Sequence, residues 1–337
     1  MPPEERLFLL GLAILTGKNF VRSRALLKEL KISREEAIFY GRKEWEKATE
    51  LGIRIVFTED PEYPPILKEI GEPPAFLYVK GELKPELVYL AVVGTRKPTA
   101  YGRKVALEWS RELAAVGLGI VSGLALGIDT EAHRGALSAG GYTVAVLGSG
   151  LDWIYPYENR KLAEEIVARG GALISEFPLG SRPERWHFPR RNRIISGMSK
   201  GVLVVEAAQR SGSLITARLA AEQGREVMAV PGSVFSETSR GTHYLIREGA
   251  YPVNSPKDVV ELLGLTIEVV EKKDENQIEL SSAEEGLLER LSFSPKHFDE
   301  LVAETGLPVS ELSELLLHLE LKGLVQSLPG KFFQRAN

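Results

Sequence analysis

Between residues 88 and 264 one theme keeps returning: a short apolar run, a glycine-containing turn, then an amphipathic helical stretch. The runs are Val88–Val93, Leu118–Val121, Thr143–Leu147, Ala172–Ile174, Gly201–Val205 and Glu226–Val230. Strands this continuous in Val, Ile and Leu are buried on both faces, and their alternation with helices predicts a parallel sheet covered on each side. The expected fold is an open, doubly wound α/β domain. Such sheets bind ligands at the carboxyl ends of their strands, so the residues at those ends are the first candidates for function.

The flanks read differently. Residues 1 to about 60 are rich in helix formers with apolar spacing (Leu7, Leu10, Leu12, Leu15, Leu26, Leu27, Leu30, Ile38), and Ser33 before Glu36 has capping-box spacing. This predicts a small helical domain over 1–60, with a helix-hairpin-helix look at Leu15–Leu27 around Gly17-Lys18-Asn19. Pro61, Pro64, Pro65, Pro73 and Pro74 then mark a proline-rich connection into the α/β domain, 61–265. Residues 266–282 are charged and weakly patterned, as in a linker. Beyond them 283–291, 295–305 and 309–322 read as three short helices, and 324–328 with 331–334 as a hairpin around Pro329-Gly330. Three helices and a hairpin predict a winged helix-turn-helix over 283–337.

Composition removes several function classes. Cysteine is absent, which excludes disulfides, thiolate metal sites and cysteine nucleophiles. The five histidines (His133, His187, His243, His297, His318) form no ligand-spaced pair, so no metal site is expected. No apolar run approaches the ~20 residues that span a bilayer. The opening MPPEERLFLL carries acids where an export signal is basic, which makes a cytoplasmic location the expectation. A net charge of −4 argues against indiscriminate nucleic-acid binding, so any such contact must be local.

Locally the charge reverses. Residues 180–210 hold seven Lys/Arg (Arg182, Arg185, Arg190, Arg191, Arg193, Lys200, Arg210) against Glu184 and Glu206, with Trp186, His187 and Phe188 among them. Arginine fits phosphate bidentately and aromatic rings offer faces for bases. The strand-end loops around this run suit anions. Gly94-Thr95-Arg96-Lys97 follows the first strand, Ser122-Gly123-Leu124 the second and Ser211-Gly212-Ser213 the fifth, each ahead of a helix N-terminus with free N–H groups. Neither G-x-G-x-x-G nor G-x-x-x-x-G-K-[ST] is present, so dinucleotide binding and nucleotide hydrolysis find no support and no cofactor is expected. Asp129, Glu131 and His133 mimic an acid–base cluster, but a capping or pairing role at the helix start is favoured. Glu176 and Glu206 are expected to hydrogen-bond loop amides or orient arginines.

Four linked motifs carry a family resemblance. VGTR at Val93–Arg96, SGLALGID at Ser122–Asp129, FPRRNRIISGMS at Phe188–Ser199 and SGSLITA at Ser211–Ala217 resemble, in order and spacing, the DNA-processing protein A family (DprA, also called Smf). The resemblance covers roughly 60–265. It implies a Rossmann-like domain that binds single-stranded DNA without sequence preference, protects it in natural transformation and loads a RecA-type recombinase. It also implies a homodimer formed through that domain. The linked loops and the arginine cluster lead to the expectation of a binder rather than an enzyme. Carried over, Arg96 is the main phosphate clamp, lined by Ser122 and Gly123. Arg191 and Arg193 extend the basic track, and Asn192 with Ser211, Gly212 and Ser213 offers polar contacts. Tyr157 stands where many relatives have a lysine, which exchanges a phosphate contact for base stacking, and Gly241-Thr242-His243 replaces a Gly-x-Asn turn.

An alternative of another class is a phosphoribohydrolase-like enzyme acting on nucleoside monophosphates. Similar glycine loops occur in that fold, but its Pro-Gly-Gly-x-Gly-Thr is here only Pro231-Gly232-Ser233. In the tail, the helix that would read DNA presents Glu311, Glu314 and Glu320 against Lys322, so a protein contact is expected there rather than a groove contact.

Overall fold

The computed structural model describes residues 3–17, 32–265, 280–292 and 295–335. They divide into two compact units, residues 1–267 and 268–337. The first unit begins with helices Pro3–Thr16 (α1) and Arg34–Glu50 (α2), then strands Arg54–Phe57 (β1), Phe76–Gly81 (β2) and Tyr89–Val93 (β3). Helix Ala100–Ala115 (α3) leads to Gly119–Ser122 (β4), Ile128–Ser138 (α4), Thr143–Val146 (β5), Arg160–Ala168 (α5) and Ala172–Ser175 (β6). Helix His187–Gly197 (α6), Gly201–Val204 (β7), Ser213–Glu222 (α7), Glu226–Ala229 (β8), Arg240–Arg247 (α8), Tyr251–Pro252 (β9) and Pro256–Leu262 (α9) complete it.

The nine strands form one sheet in the order β1-β2-β6-β5-β4-β3-β7-β8-β9. From β6 to β9 every pairing is parallel, as the apolar runs predict. Strand β3 shows why. Tyr89, Ala91 and Val93 enter the core on one face while Leu90 and Val92 enter the core on the other, so no residue of the strand meets water. Because β4, β5 and β6 extend to one side of β3 and β7, β8 and β9 to the other, the strand order reverses between β3 and β7. Ligands of such sheets sit at that switch point.

Three strands of this sheet lie where the sequence pattern suggested none: the short β9 beside β8, and two at the opposite edge. Arg54–Phe57, inside the span read as helical, pairs antiparallel with Phe76–Gly81, just past the prolines (Val56 opposite Leu77). Strand β2 continues antiparallel onto β6 (Val79 opposite Ile174), so this edge of the sheet is mixed. The prolines fall in the crossing between β1 and β2, where the Tyr63 hydroxyl donates to the Pro74 carbonyl at 2.8 Å. They break no strand. They carry the chain between two.

The N-terminal helices pack on this edge. Leu9, Leu10, Ala13 and Ala48 share a core with Ile55, Phe57 and Phe76. Ser33 caps α2, accepting from the Glu36 N–H at 3.0 Å. Buried Glu44 of α2 accepts from the Tyr78 hydroxyl (2.8 Å) and the Leu179 N–H (2.7 Å), which joins α2 to β2 and to the loop after β6. Burial pushes the Glu44 carboxyl above its usual range, against the pull of those two donors. The helix-hairpin-helix-like stretch from Lys18 to Leu27, and the linker as far as residue 279, lie outside the described residues.

The second unit is the expected winged helix. Ser282–Arg290 (α10), Phe298–Thr305 (α11) and Val309–Leu321 (α12) pack with a small sheet of Lys296–His297 (β10), Val325–Leu328 (β11) and Phe332–Arg335 (β12). A reciprocal capping box between Ser281 and Glu284 starts α10. Leu312, Leu316 and Leu319 are buried with Leu315 partly so, which assigns these four leucines of α12 to the core, while Leu317 and Leu321 are exposed.

Candidate nucleic-acid interface

A cleft of about 450 Å³ opens at the switch point. The loop after β3 (Gly94–Lys97) and the loop after β7 (Ala208, Arg210–Ser213) form two sides, and Phe188, Arg191 and Asn192 of α6 form a third. The first two loops are stitched together: the Thr95 N–H donates to the Glu206 carbonyl at 2.7 Å, and the Ile128 N–H donates to the Thr95 carbonyl at 3.2 Å. Gly127, at φ +85°, lets the loop after β4 come this close. A Cβ there would stand 2.4 Å from the Thr95 oxygen.

Three helix N-termini face this region, and they are not equivalent. That of α3 is occupied. Glu206 accepts from the Thr99 N–H (2.9 Å) and hydroxyl (2.6 Å) and from the Thr238 hydroxyl (3.0 Å), so a carboxylate already fills the place expected for an anion. Near α4, Asp129 accepts from the N–H groups of Gly123 (3.0 Å) and Ala125 (3.3 Å). The N-terminus of α7 holds no carboxylate: Gly212 is the N-cap, the Ser211 and Ser213 hydroxyls bond to each other at 2.7 Å, and the Ser213 N–H reaches the Ser211 hydroxyl at 3.4 Å. The N–H groups of Leu214 and Ile215 turn onto the carbonyls of Ser211 and Gly212 (3.2 and 3.1 Å), so these groups are not free as the sequence suggested. What this end offers an anion is the positive end of the helix dipole, with no carboxylate to neutralise it.

Arg96 and Lys97 are exposed at the mouth, and the Arg96 guanidinium lies over the Phe188 ring, 5.5 Å from its centroid. Arg191 is the floor. Only 5% exposed, it donates to the carbonyls of Gly123 (2.7 Å) and Val146, pinning the ends of β4 and β5. Burial lowers its pKa to about 10, against the attraction of Asp129 and with a smaller push from Arg96. It therefore stays cationic at neutral pH, as a fixed charge under the cleft. A Cβ on Gly123 would meet this guanidinium at 2.6 Å, so glycine is what admits it.

The expected site residues do not all converge. Gly94, Thr95, Arg96, Lys97, Arg191, Asn192, Ser211, Gly212 and Ser213 line the cleft. Gly123 lines a small adjoining cavity with Arg96, Tyr155 and Phe188. Ser122 and Leu124 are fully buried, and the Ser122 hydroxyl donates to the Val92 carbonyl at 2.7 Å, so neither side chain reaches a ligand. Tyr157 is 75% exposed but stands outside the cleft.

Arg193 is the clearest departure. It is 8% exposed and pairs with Glu176 at 2.5 Å, with Arg190 at 3.3 Å from the same carboxylate. Successive helical residues are turned by about 100°. Phe188, Arg191 and Asn192 thus share the cleft face of α6 while Arg190 and Arg193 turn away from it. Phe188 and Arg210, which the sequence-level site omits, both line the cleft. The signal for Phe188 was its spacing, three residues before Arg191 and four before Asn192.

The apparent acid–base cluster dissolves. Asp129 is held as described, and Glu131 faces Arg103 and Arg134, each at 3.4 Å. His133 is fully buried. Because Thr143 gives its hydroxyl proton to the Ile120 carbonyl (2.8 Å), the His133 Nδ1–H must donate to Thr143 (2.7 Å). Burial, then the charge of Arg191, lowers the His133 pKa from 6.5 to about 3. The unfolded chain then binds a proton near pH 6.5 that the folded one refuses. This contribution to stability is complete above pH 6.5 and falls by about 1.4 kcal/mol per unit as pH drops toward 3. Thermal unfolding followed from pH 7 downward should therefore show a steeper loss in wild type than in His133→Leu. Parallel slopes would refute the buried neutral imidazole.

Among the described residues no cluster of His, Asp and Glu is arranged to hold a metal ion, and no helix is long and apolar enough to cross a membrane.

Comparison with known proteins bears on both units. Residues 54–264 match the family model for DNA recombination-mediator protein A, and residues 271–331 match the DprA winged helix domain. Protein Smf of Escherichia coli is 44% identical over 277 residues, which cover 80% of this chain and 74% of that protein. The X-ray structure of DNA processing protein A from Streptococcus pneumoniae superposes with a TM-score of 0.62 at 37% identity, covering 77% of this chain and 92% of that one. DNA processing protein A from Helicobacter pylori, described for a unique single-stranded DNA binding mode, gives a TM-score of 0.56 at 32% identity, covering 62% and 95%. With matches over both units and identities of this size, the chain belongs to the DNA recombination-mediator protein A family, the DprA/Smf proteins.

Proposed function

We propose that this protein binds single-stranded DNA without sequence preference through the switch-point cleft, and delivers the strand to a RecA-type recombinase during natural transformation. The observation that carries the proposal is the meeting of the carboxylate-free N-terminus of α7 with Arg96, Lys97, Arg191 and Arg210 in one cleft that also holds the Phe188 ring. Phosphate finds cations and the positive end of a helix dipole there, and a base finds a π-face. A duplex hides its base faces and gains less. The single-stranded DNA binding mode described for the Helicobacter pylori relative supports the same assignment.

We also propose that the protein is not an enzyme, acts in the cytoplasm and works as a homodimer through the α/β unit. The carboxylates nearest the cleft support the first point, because Asp129 and Glu206 are committed to backbone and hydroxyl donors. Exposed Tyr244, Tyr251 and Ile215 beside the β8–β9 edge support the dimer.

Fluorescence-anisotropy titration of single- and double-stranded oligonucleotides across salt tests the binding. The single strand should bind more tightly. Its log Kd against log salt should have a slope of about 2, from roughly three phosphate contacts at about 0.7 each. Equal affinity for duplex, or a salt-independent Kd, would sink the proposal. Incubation with nucleoside monophosphates should release no free base.

A further inference from the structure

The cleft has an aromatic border that its phosphate chemistry does not use. Tyr155 packs against Phe188 with ring centroids 5.8 Å apart, on the side of Phe188 where the small cavity with Arg96 opens. Two residues earlier Trp153 stands with the Arg182 guanidinium 5.1 Å from its ring. These rings are 45% and 44% exposed, and burial of large aromatics is the normal outcome of folding.

Their exposure does not come from a slack loop. The Ser149 hydroxyl donates to the Trp153 carbonyl at 2.6 Å, and the Trp153 N–H donates to the Gly150 carbonyl at 2.9 Å. The Gly150 N–H donates to the Ser181 carbonyl (2.9 Å) and the Gly180 N–H to Asp152 (2.8 Å), which locks the loop after β5 to the loop after β6. Lys47 of α2 holds Asp152 from behind at 3.0 Å. The rings are presented on a fixed frame.

We propose that Tyr155 and Trp153, with Arg182, form a stacking ledge for the nucleotides that leave the cleft past Phe188. The ligand is a further stretch of the same single strand, with bases on the two rings and a phosphate on Arg182. Rings interleaved with an arginine are what sequence-tolerant strand binding requires, since every base has a π-face and every linkage a charge. The ledge also gives the N-terminal helices a part in binding, because the Lys47–Asp152 bridge supports its frame. The inference rests on the cleft binding single-stranded DNA.

The test is a comparison of oligothymidylates of about 4 and about 16 nucleotides, a range that single-strand sites span. Each is titrated against wild type, Arg96→Ala, Tyr155→Ala and Trp153→Ala, with circular dichroism as the check on folding. Arg96→Ala should weaken both lengths. Tyr155→Ala and Trp153→Ala should each weaken the long strand about tenfold and leave the short one unchanged. Trp153→Phe should keep long-strand affinity yet lose part of the tryptophan quenching that the long strand causes. Wild-type binding of the long strand by both alanine variants, with Arg96→Ala impaired, would overturn the ledge alone. Wild-type binding by Arg96→Ala would overturn the cleft assignment and the ledge with it.

Discussion

Replacing Arg96 by alanine should cost single-strand affinity about 10- to 100-fold, the worth of a charge-assisted contact to phosphate, and lower the salt slope by about 0.7. Stability should hardly change, because the side chain is exposed and its neighbour in the protein is the Phe188 ring rather than an ion-pair partner. The size of the loss follows from position. Arg96 leaves β3 at the point where the strand order reverses, and it lines the same cleft as the carboxylate-free N-terminus of α7. Lys97, on the same loop, cannot replace it, since an ammonium lacks the planar fork that holds two phosphate oxygens. Oligonucleotide titration of the variant across salt, beside a thermal melt, separates the binding loss from any folding loss.

Arg193→Ala should behave in the opposite way. Its guanidinium is paired 2.5 Å from buried Glu176, and removing one partner of a buried pair costs about 3–5 kcal/mol. The lower end is expected, because Arg190 remains 3.3 Å from the same carboxylate. For a unit of this size that lowers Tm by roughly 10 °C. The loss should depend on pH with a definite sign. Burial already holds the Glu176 carboxyl above its usual range against the pull of Arg193 and Arg190, and losing Arg193 raises it further. A carboxyl whose folded pKa is raised stabilises the fold below its unfolded pKa and loses that contribution as pH rises through the folded value. The deficit of the variant should therefore shrink in acid and grow toward neutrality. If the variant instead melted like wild type and bound DNA poorly, Arg193 would be a strand contact and its place in the core would be wrong.

These two arginines show what the chain makes legible before folding. The strands from β3 to β8 announce themselves because burial on both faces leaves unbroken apolar runs, and their ends place Arg96 and Ser211–Ser213 at one edge. Arg54–Phe57 and Phe76–Gly81 escape notice because they form an antiparallel edge separated by prolines, where helical and strand patterns are both short. In the basic run, Arg191 and Arg193 look alike as letters. What separates them is helical phase, together with which face of α6 meets the cleft. That face is set by tertiary packing against β4 and β5, through Gly123 and Val146. The functions of Asp129 and Glu206 were easier to foresee. A carboxylate at a strand end next to a helix start has amide donors at hand, and both residues use them.

The difference between the three helix N-termini also explains how one fold can keep phosphate in one place. Glu206 closes α3 and Asp129 engages the loop before α4, so negative charge is already supplied there. At α7 none is, and Arg210 and Arg96 stand nearby. The proposed single-strand site thus has its phosphate centre at one helix end.

The most direct measurement is a crystal structure with a short oligothymidylate bound. Expected is a phosphate seated between the Arg96 guanidinium and the N-terminal end of α7, with a base against Phe188. A strand lying at the β8–β9 edge beside Tyr244 and Tyr251, or on the winged-helix unit, with the Arg96 cleft empty, would contradict it.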